Sequence, residues 1–227
     1  INQDSNKDKD LFNFTIRYNI PTTGTPLYNG YISQISWNTL SSDASAKTYT
    51  YSYDDLNRIK SGVFTSSNTA QNGSYDLASV NYDKNGNITF LSRKGHRVAN
   101  PGNSASHYGT MDNIYYGYYN GGNKLKSNYD SSGIVYGFKD GSSSSTVYNY
   151  DPNGNMTLDL NKGVYAISYN HLDLPTSISV TSGTSGTIQY VYDANGVKQK
   201  KIVTQGPSIT STDYDGNYVY ENNSLQF

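Results

Sequence analysis

Apolar and polar residues alternate with a period of two along most of this chain, and the runs are short. Tyr49, Tyr51 and Tyr53 form one such series, and Ile188, Tyr190 and Tyr192 another. Val147 and Asn149 interleave with Tyr148 and Tyr150; a few residues on, Met156, Leu158 and Leu160 alternate with Thr157 and Asp159. A two-residue period is strand logic, because successive side chains of a strand point to opposite faces. No stretch carries the 3.6-residue period of an amphipathic helix. The pattern predicts strands over 11–18, 31–37, 114–119 and 124–129, with loops over 1–10, 41–47 and 65–74. Further tips are expected at 142–145, 182–186 and 206–208, and residues 95–113 show little periodicity.

Between the alternating runs a heptapeptide returns six times. Tyr82-Asp83-Lys84-Asn85-Gly86-Asn87-Ile88 and Tyr150-Asp151-Pro152-Asn153-Gly154-Asn155-Met156 are nearly the same. Looser copies begin at Tyr53-Asp54, at Tyr119 (with Gly122 in fourth position), at Tyr169 and at Tyr192-Asp193-Ala194-Asn195-Gly196. The first tyrosines are 29, 37, 31, 19 and 23 residues apart, so bare hairpins alternate with hairpins carrying inserted loops. Asp-x-Asn-Gly suits a type I turn: Asp caps the turn with its side chain, and Gly accepts a left-handed conformation that forms a bulge. The bulge should shift register between the arms. The expected architecture is therefore all-β, with tandem hairpins in a long curved antiparallel sheet.

Composition narrows this picture. The 227 residues include 24 Tyr and 21 Gly but no Cys, which favours strands and turns. With 34% hydrophobic residues, cross-strand aromatic ladders must supply much of the burial. Seventeen basic against 18 acidic residues leave no electrostatic footprint for nucleic acid, and no apolar run is long enough to span a membrane as a helix.

Chemistry is sparse. His96, His107 and His171 are far apart in sequence, and no zinc, phosphate-loop or nucleophile-elbow motif occurs. The turns at Asp83 and Asp151 resemble fragments of a calcium loop, but the later bidentate Glu is missing. The reading is of a non-enzyme without a cofactor or metal. Tyr115, Tyr116 and Tyr118 lie in an aromatic strand where adjacent positions face opposite ways, making them the candidates for stacking on a glycan.

The repeated Tyr-Asp-x-x-Gly, followed by a polar and an aliphatic residue, resembles the bacterial Rhs/YD-repeat family. Tyr82 to Ile88 and Tyr150 to Met156 match throughout; Tyr192 to Gly196 matches and then departs at Val197-Lys198, while the copies at Tyr119 and Tyr169 lack the Asp. The resemblance implies one continuous array over 1–227: a lead-in at 1–27, repeats at 28–211, and an approach at 212–227 to a core that would follow. It implies a secreted or cell-surface location and a structural wall segment of a shell around an effector domain. The alternative is an adhesin segment holding surface glycan through exposed Tyr and polar loops. Expected partners are the remainder of the polypeptide or another chain along an open sheet edge, together with an enclosed effector, secretion machinery or a surface glycan.

Overall fold

The computed structural model describes residues 11–40, 43–181, 183 and 185–226. The loop expected at 1–10 lies outside them, as do parts of the loop at 41–47 and the tip at 182–186. The all-β class read from the sequence is the one observed. The first sheet contains β1 (Phe12–Arg17), β2 (Gln34–Thr39), β3 (Lys47–Tyr53), β4 (Ile59–Ser66), β5 (Leu77–Tyr82), β6 (Ile88–His96), β7 (Tyr108–Tyr118) and β8 (Leu125–Asp130). The second contains β9 (Tyr148–Tyr150), β10 (Met156–Asp159), β11 (Val164–Tyr169), β12 (Pro175–Val180), β13 (Gly186–Tyr192), β14 (Lys198–Gln205), β15 (Ser208–Asp215), β16 (Tyr218–Glu221) and β17 (Ser224–Leu225). In both sheets each strand lies beside its sequence neighbours, and the registered pairs are antiparallel.

The strands therefore form two sheets where the sequence suggested one continuous array. The ladder stops after Asp130, where 131–146 carries no strand among the described residues. That segment is rich in Ser and Gly, which have little to gain from a pleated surface. One compact unit comprises the described residues up to Gly117 together with Asn128–Lys139; the other comprises Tyr118–Ser127 and the described residues from Asp140 onward.

In the first unit, aromatic rings carry the burial. Trp37 stacks on Tyr49 at 5.8 Å, and Tyr49 meets Phe64 edge-on at 5.4 Å. Phe64 meets Tyr75 at 5.2 Å, and Tyr75 meets Tyr108 at 5.4 Å. Such offset and edge-on pairs add stabilisation beyond the area they bury. Among the described residues, Phe64, Val80, Met111 and Ile114 are the buried apolar ones of this unit; Val147 and Tyr148 are those of the second. Buried polar groups hold the rest. Gln34, fully buried, accepts from Thr22 N–H and donates to the Thr23 and Thr50 hydroxyls. Asp112, also fully buried, pairs with Arg93 and accepts from the Phe138 amide, which ties 131–139 back onto β7.

Several sequence-based boundaries move. The strand expected at 31–37 begins at Gln34, because residues before it leave a turn. The unpatterned stretch 95–113 holds the end of β6 and the start of β7, joined through a 3₁₀ turn at Ala105–His107. The tip at 206–208 is a tight turn: Gln205 pairs with Ser208, with Gly206 at φ 55° and Pro207 completing it. Burial alternates along β4 but not along β10 or β12, whose residues are nearly all half-buried on both faces.

Strand β1 reverses the usual pattern. Phe12, Phe14 and Ile16 are exposed, while Asn13, Thr15 and Arg17 are half-buried. Arg17 donates to Ser36 Oγ at 2.9 Å, which keeps the polar side inward.

Candidate functional site

The site with the most shared geometry is the repeated hairpin tip. In five copies the backbone closes identically. The residue in second position donates its N–H to the carbonyl of the sixth: Asp54 to Arg58, Asp83 to Asn87, Asp151 to Asn155, Asn170 to Leu174 and Asp193 to Val197, at 2.9–3.0 Å. The N–H of the fifth residue returns to the carbonyl of the second, at 2.9–3.2 Å. That fifth residue is left-handed: Gly86 at φ 87°, Gly154 at 95° and Gly196 at 83°, with Asn57 at 61° and Asp173 at 57°. Gly has no Cβ to clash there, and Asn and Asp tolerate the region better than most residues.

The second-position side chain caps this loop. Asp83 Oδ1 accepts from the amides of Asn85 and Asn87 at 2.9 and 2.8 Å, while Oδ2 accepts from Asn87 Nδ2 at 2.9 Å. Asp54 holds Leu56 and Arg58 in the same way, and its second oxygen takes the Arg58 guanidinium. Asp151 caps Asn155, and Asp193 caps Asn195 and Val197. Asn170 performs the task with its amide oxygen, accepting from Leu172 and Leu174. These bonds favour the carboxylate. The Asp54 carboxyl is lowered first by the Arg58 amide, and that of Asp83 first by the Asn87 side chain. At Asp151 desolvation is the largest single influence and raises the carboxyl, but the hydrogen bonds from Asn155, Gly154 and Asn153 together outweigh it and lower it. The capping oxygens thus point at their own backbone.

Immediately after the heptapeptide comes a second irregularity. Tyr53 pairs with Ile59 but Ser52 with Ser61, leaving Lys60 as an extra residue. Thr89, Thr157, Thr176 and Gln199 are the extra residues at the same place in four other hairpins. Each is a bulge that kinks one arm and adds twist.

Twist splays neighbouring hairpins apart near their tips. The β4–β5 ladder retains the single pair Gly62–Leu77, and the β12–β13 ladder stops at Ser177–Gln189. The first-position tyrosine bridges the gap. Tyr82 donates its phenol to the Ile59 carbonyl at 2.7 Å, Tyr169 to Met156 at 2.7 Å and Tyr192 to Pro175 at 3.0 Å. Each acceptor is the seventh residue of the preceding repeat. Burial, the largest cause in every case, raises the phenols of Tyr82, Tyr169 and Tyr192. Neighbouring tips also touch directly. Arg58 reaches the Asp83 carbonyl at 3.2 Å and lies 4.4 Å from the Tyr82 ring centre, and Asn153 and Asn155 both donate to Asp173.

This rule exposes a repeat that the sequence reading missed. Tyr53 donates to the Ile32 carbonyl at 2.8 Å, which makes Ile32 the seventh residue of a turn over 26–32. Asn29-Gly30 occupies the fourth and fifth positions, and Gly30 has φ 84°. Pro26 and Leu27 replace the Tyr-Asp pair, so Asn29-Gly30 reads from the sequence as a turn but not as a copy of the repeat.

The copy at Tyr119 departs from the others. Its closure runs one residue further, from Tyr119 N–H to the Lys124 carbonyl, with Gly122 N–H returning to Tyr119. Asn120 and Gly121 are both left-handed. Tyr119 donates forward to the Tyr148 carbonyl at 2.9 Å, and Tyr150 packs edge-on against Tyr119 with Lys124 near its ring.

The three glycan candidates do not share a platform. Tyr115 is exposed and packs on Phe90 at 4.8 Å, whereas Tyr116 and Tyr118 are half-buried on the Ile114 side of β7. His107 Nδ1 accepts from Gly102, His96 faces the Tyr136 ring, and His171 sits exposed at a tip. Among the described residues no three His, Cys, Asp or Glu side chains are grouped to hold a metal ion, and no helix is long and apolar enough to cross a membrane. One cleft, of about 300 Å³, is lined by Asn161, Tyr165, Ser142 and Thr181 and presents amide and hydroxyl groups without a titratable pair.

No family model matches the chain, and no curated protein matches it. Among solved structures, the crystal structure of TcdB2-TccC3 without its hypervariable C-terminal region is similar over 87% of this chain, at 12% identity and a TM-score of 0.46. The match covers 11% of that structure's chain, so this chain corresponds to a small part of it.

Proposed function

We propose that this chain is a non-catalytic wall segment of a larger secreted or cell-surface protein of the Rhs/YD-repeat type. The observation that carries the reading is the tyrosine tie, by which Tyr53, Tyr82, Tyr169 and Tyr192 each bond their hairpin to the last residue of the turn before. A hairpin that carries both a capped tip and a tie to its predecessor extends a sheet one unit at a time, with no need of a thick core. Such a sheet suits a wall, and its cleft beside Asn161 and Tyr165 offers hydroxyls and amides rather than a nucleophile with a base.

The edge strand β1 fits attachment of further chain. Leu40 donates to the Leu11 carbonyl, so by alternation the backbone groups of Phe12, Phe14 and Ile16 point away from β2. Among the described residues none of them has a partner. An open edge with an apolar row beside it favours strand addition.

Limited proteolysis of the full polypeptide tests the reading. A domain enclosed by the wall should resist cleavage in the wild type and become sensitive when Tyr82, Tyr169 and Tyr192 are all changed to Phe. Equal sensitivity of that domain before and after the changes would overturn the wall function.

A further inference from the structure

Six Asn-Gly pairs occur in the chain, at Asn29, Asn72, Asn85, Asn120, Asn153 and Asn195. Asn-Gly is the dipeptide most prone to deamidation, since a glycine amide meets no side chain of its own when it attacks the asparagine carboxamide. The folded structure restrains four of these glycine amides by hydrogen bonds. Gly73 donates to the Phe64 carbonyl at 2.9 Å, Gly86 to Asp83 at 3.2 Å, Gly154 to Asp151 at 3.0 Å and Gly196 to Asp193 at 3.1 Å. Attack requires that bond to break and the peptide plane to turn.

The turn over 26–32 differs. Leu27 stands where the other turns have a capping Asp or Asn, and its amide is committed to the Tyr18 carbonyl. Gly30 N–H has no hydrogen-bond partner among the described residues, and nothing beyond its chain neighbours lies within 4 Å of where a Cβ would stand. The Asn29 side chain is already folded back over this peptide: its Oδ1 accepts from Tyr31 N–H at 3.3 Å, which closes a ring around the Gly30 amide. That same N–H is placed to stabilise negative charge developing on Oδ1 during attack. Asn72 is held otherwise, with Oδ1 on the Ser66 amide.

We propose that Asn29-Gly30 is a modification site at which the folded chain deamidates spontaneously. Hydroxide removes the Gly30 amide proton, and the nitrogen forms a bond to Asn29 Cγ. The Cγ–Nδ2 bond breaks, and ammonia leaves with a proton taken from water. Water then opens the cyclic imide at either carbonyl, giving aspartate or an isoaspartyl link; the sum is asparagine plus water to acid plus ammonia. The leaving nitrogen is the one that donates to Asn57 Oδ1 at 2.8 Å. The product therefore loses the side-chain bond between this tip and the next, and places a carboxylate against an amide oxygen.

The test is incubation of the folded 227-residue chain at mildly alkaline pH, followed by peptide mapping by mass spectrometry and enzymatic labelling of isoaspartate. Asn29 should convert about fivefold or more faster than Asn85, Asn153 and Asn195, the factor that one hydrogen bond is worth. In concentrated urea the four rates should converge, because the restraint belongs to the fold. A folded-state rate at Asn29 no higher than at those three sites would overturn the proposal. Rates that keep the same ranking and spread in urea would overturn it too, by making sequence rather than turn geometry the cause.

Discussion

Replacing Tyr82 with Phe removes one oxygen and leaves the ring in place, so it isolates the tie between two hairpins. The phenol donates to the Ile59 carbonyl at 2.7 Å, in surroundings buried enough to raise its pKa. The Arg58 guanidinium 4.4 Å from the ring centre remains, because Phe presents the same aromatic face. What is lost is one hydrogen bond, a net of about 1 kcal/mol. With a urea slope of roughly 2 kcal/mol per molar, the midpoint should fall by about 0.5 M. Trp37, the sole tryptophan, lies in the same unit and stacks on Tyr49, so its fluorescence follows unfolding of this sheet. Tyr115 to Phe is the control: that side chain is 51% exposed, its ring contact with Phe90 survives, and its change should stay within about 0.5 kcal/mol. A wild-type midpoint for the Tyr82 variant, or an equal loss in the Tyr115 variant, would refute the tie as a source of stability.

Gly86 has φ 87° and open space where a Cβ would stand, so Gly86→Ala should cost about 1 kcal/mol from left-handed strain alone. Gly86→Asn should cost less, as Asn57 already occupies the equivalent place; chemical denaturation of the two variants ranks them. At Asp83 the order should be Ala worse than Asn, since Asn keeps the Oδ1 acceptor as Asn170 does; amide exchange at Asn85 and Asn87 would show it, and equal protection in both variants would not fit the cap. The phenols of Tyr53, Tyr82, Tyr169 and Tyr192 are raised in the folded chain, chiefly by burial. Their contribution is full below the ordinary tyrosine range of about 10 and is lost as pH rises through the higher folded values. Tyr75, pushed up to about 12 by burial and then by Tyr108, should ionise among the last. Phenolate absorbance should accordingly show a late fraction that becomes normal in urea.

What the sequence determined by itself is local. Asp83 to Asn87 span five residues, and the bonds that close and cap their tip form inside that window. Turn type, left-handed glycine and the β period were therefore legible without a partner strand. The tertiary structure decided whatever depends on a distant neighbour. Tyr82 reads as another alternating aromatic until β4 places the Ile59 carbonyl within its reach. Asn29-Gly30 is legible as a turn, but the Tyr-Asp pair is missing before it, and its kinship to the repeats became visible only through the hydroxyl of Tyr53. Asp112 reads as one more polar strand residue, yet it is fully buried because Arg93 and the Phe138 amide converge on it from other segments. Phe12, Phe14 and Ile16 alternate as a core-facing row would, but they face outward, because Arg17 finds its hydrogen-bond partners on the other side of the sheet. Period two specifies that a strand has two faces; which of them is covered depends on what the rest of the chain brings against it.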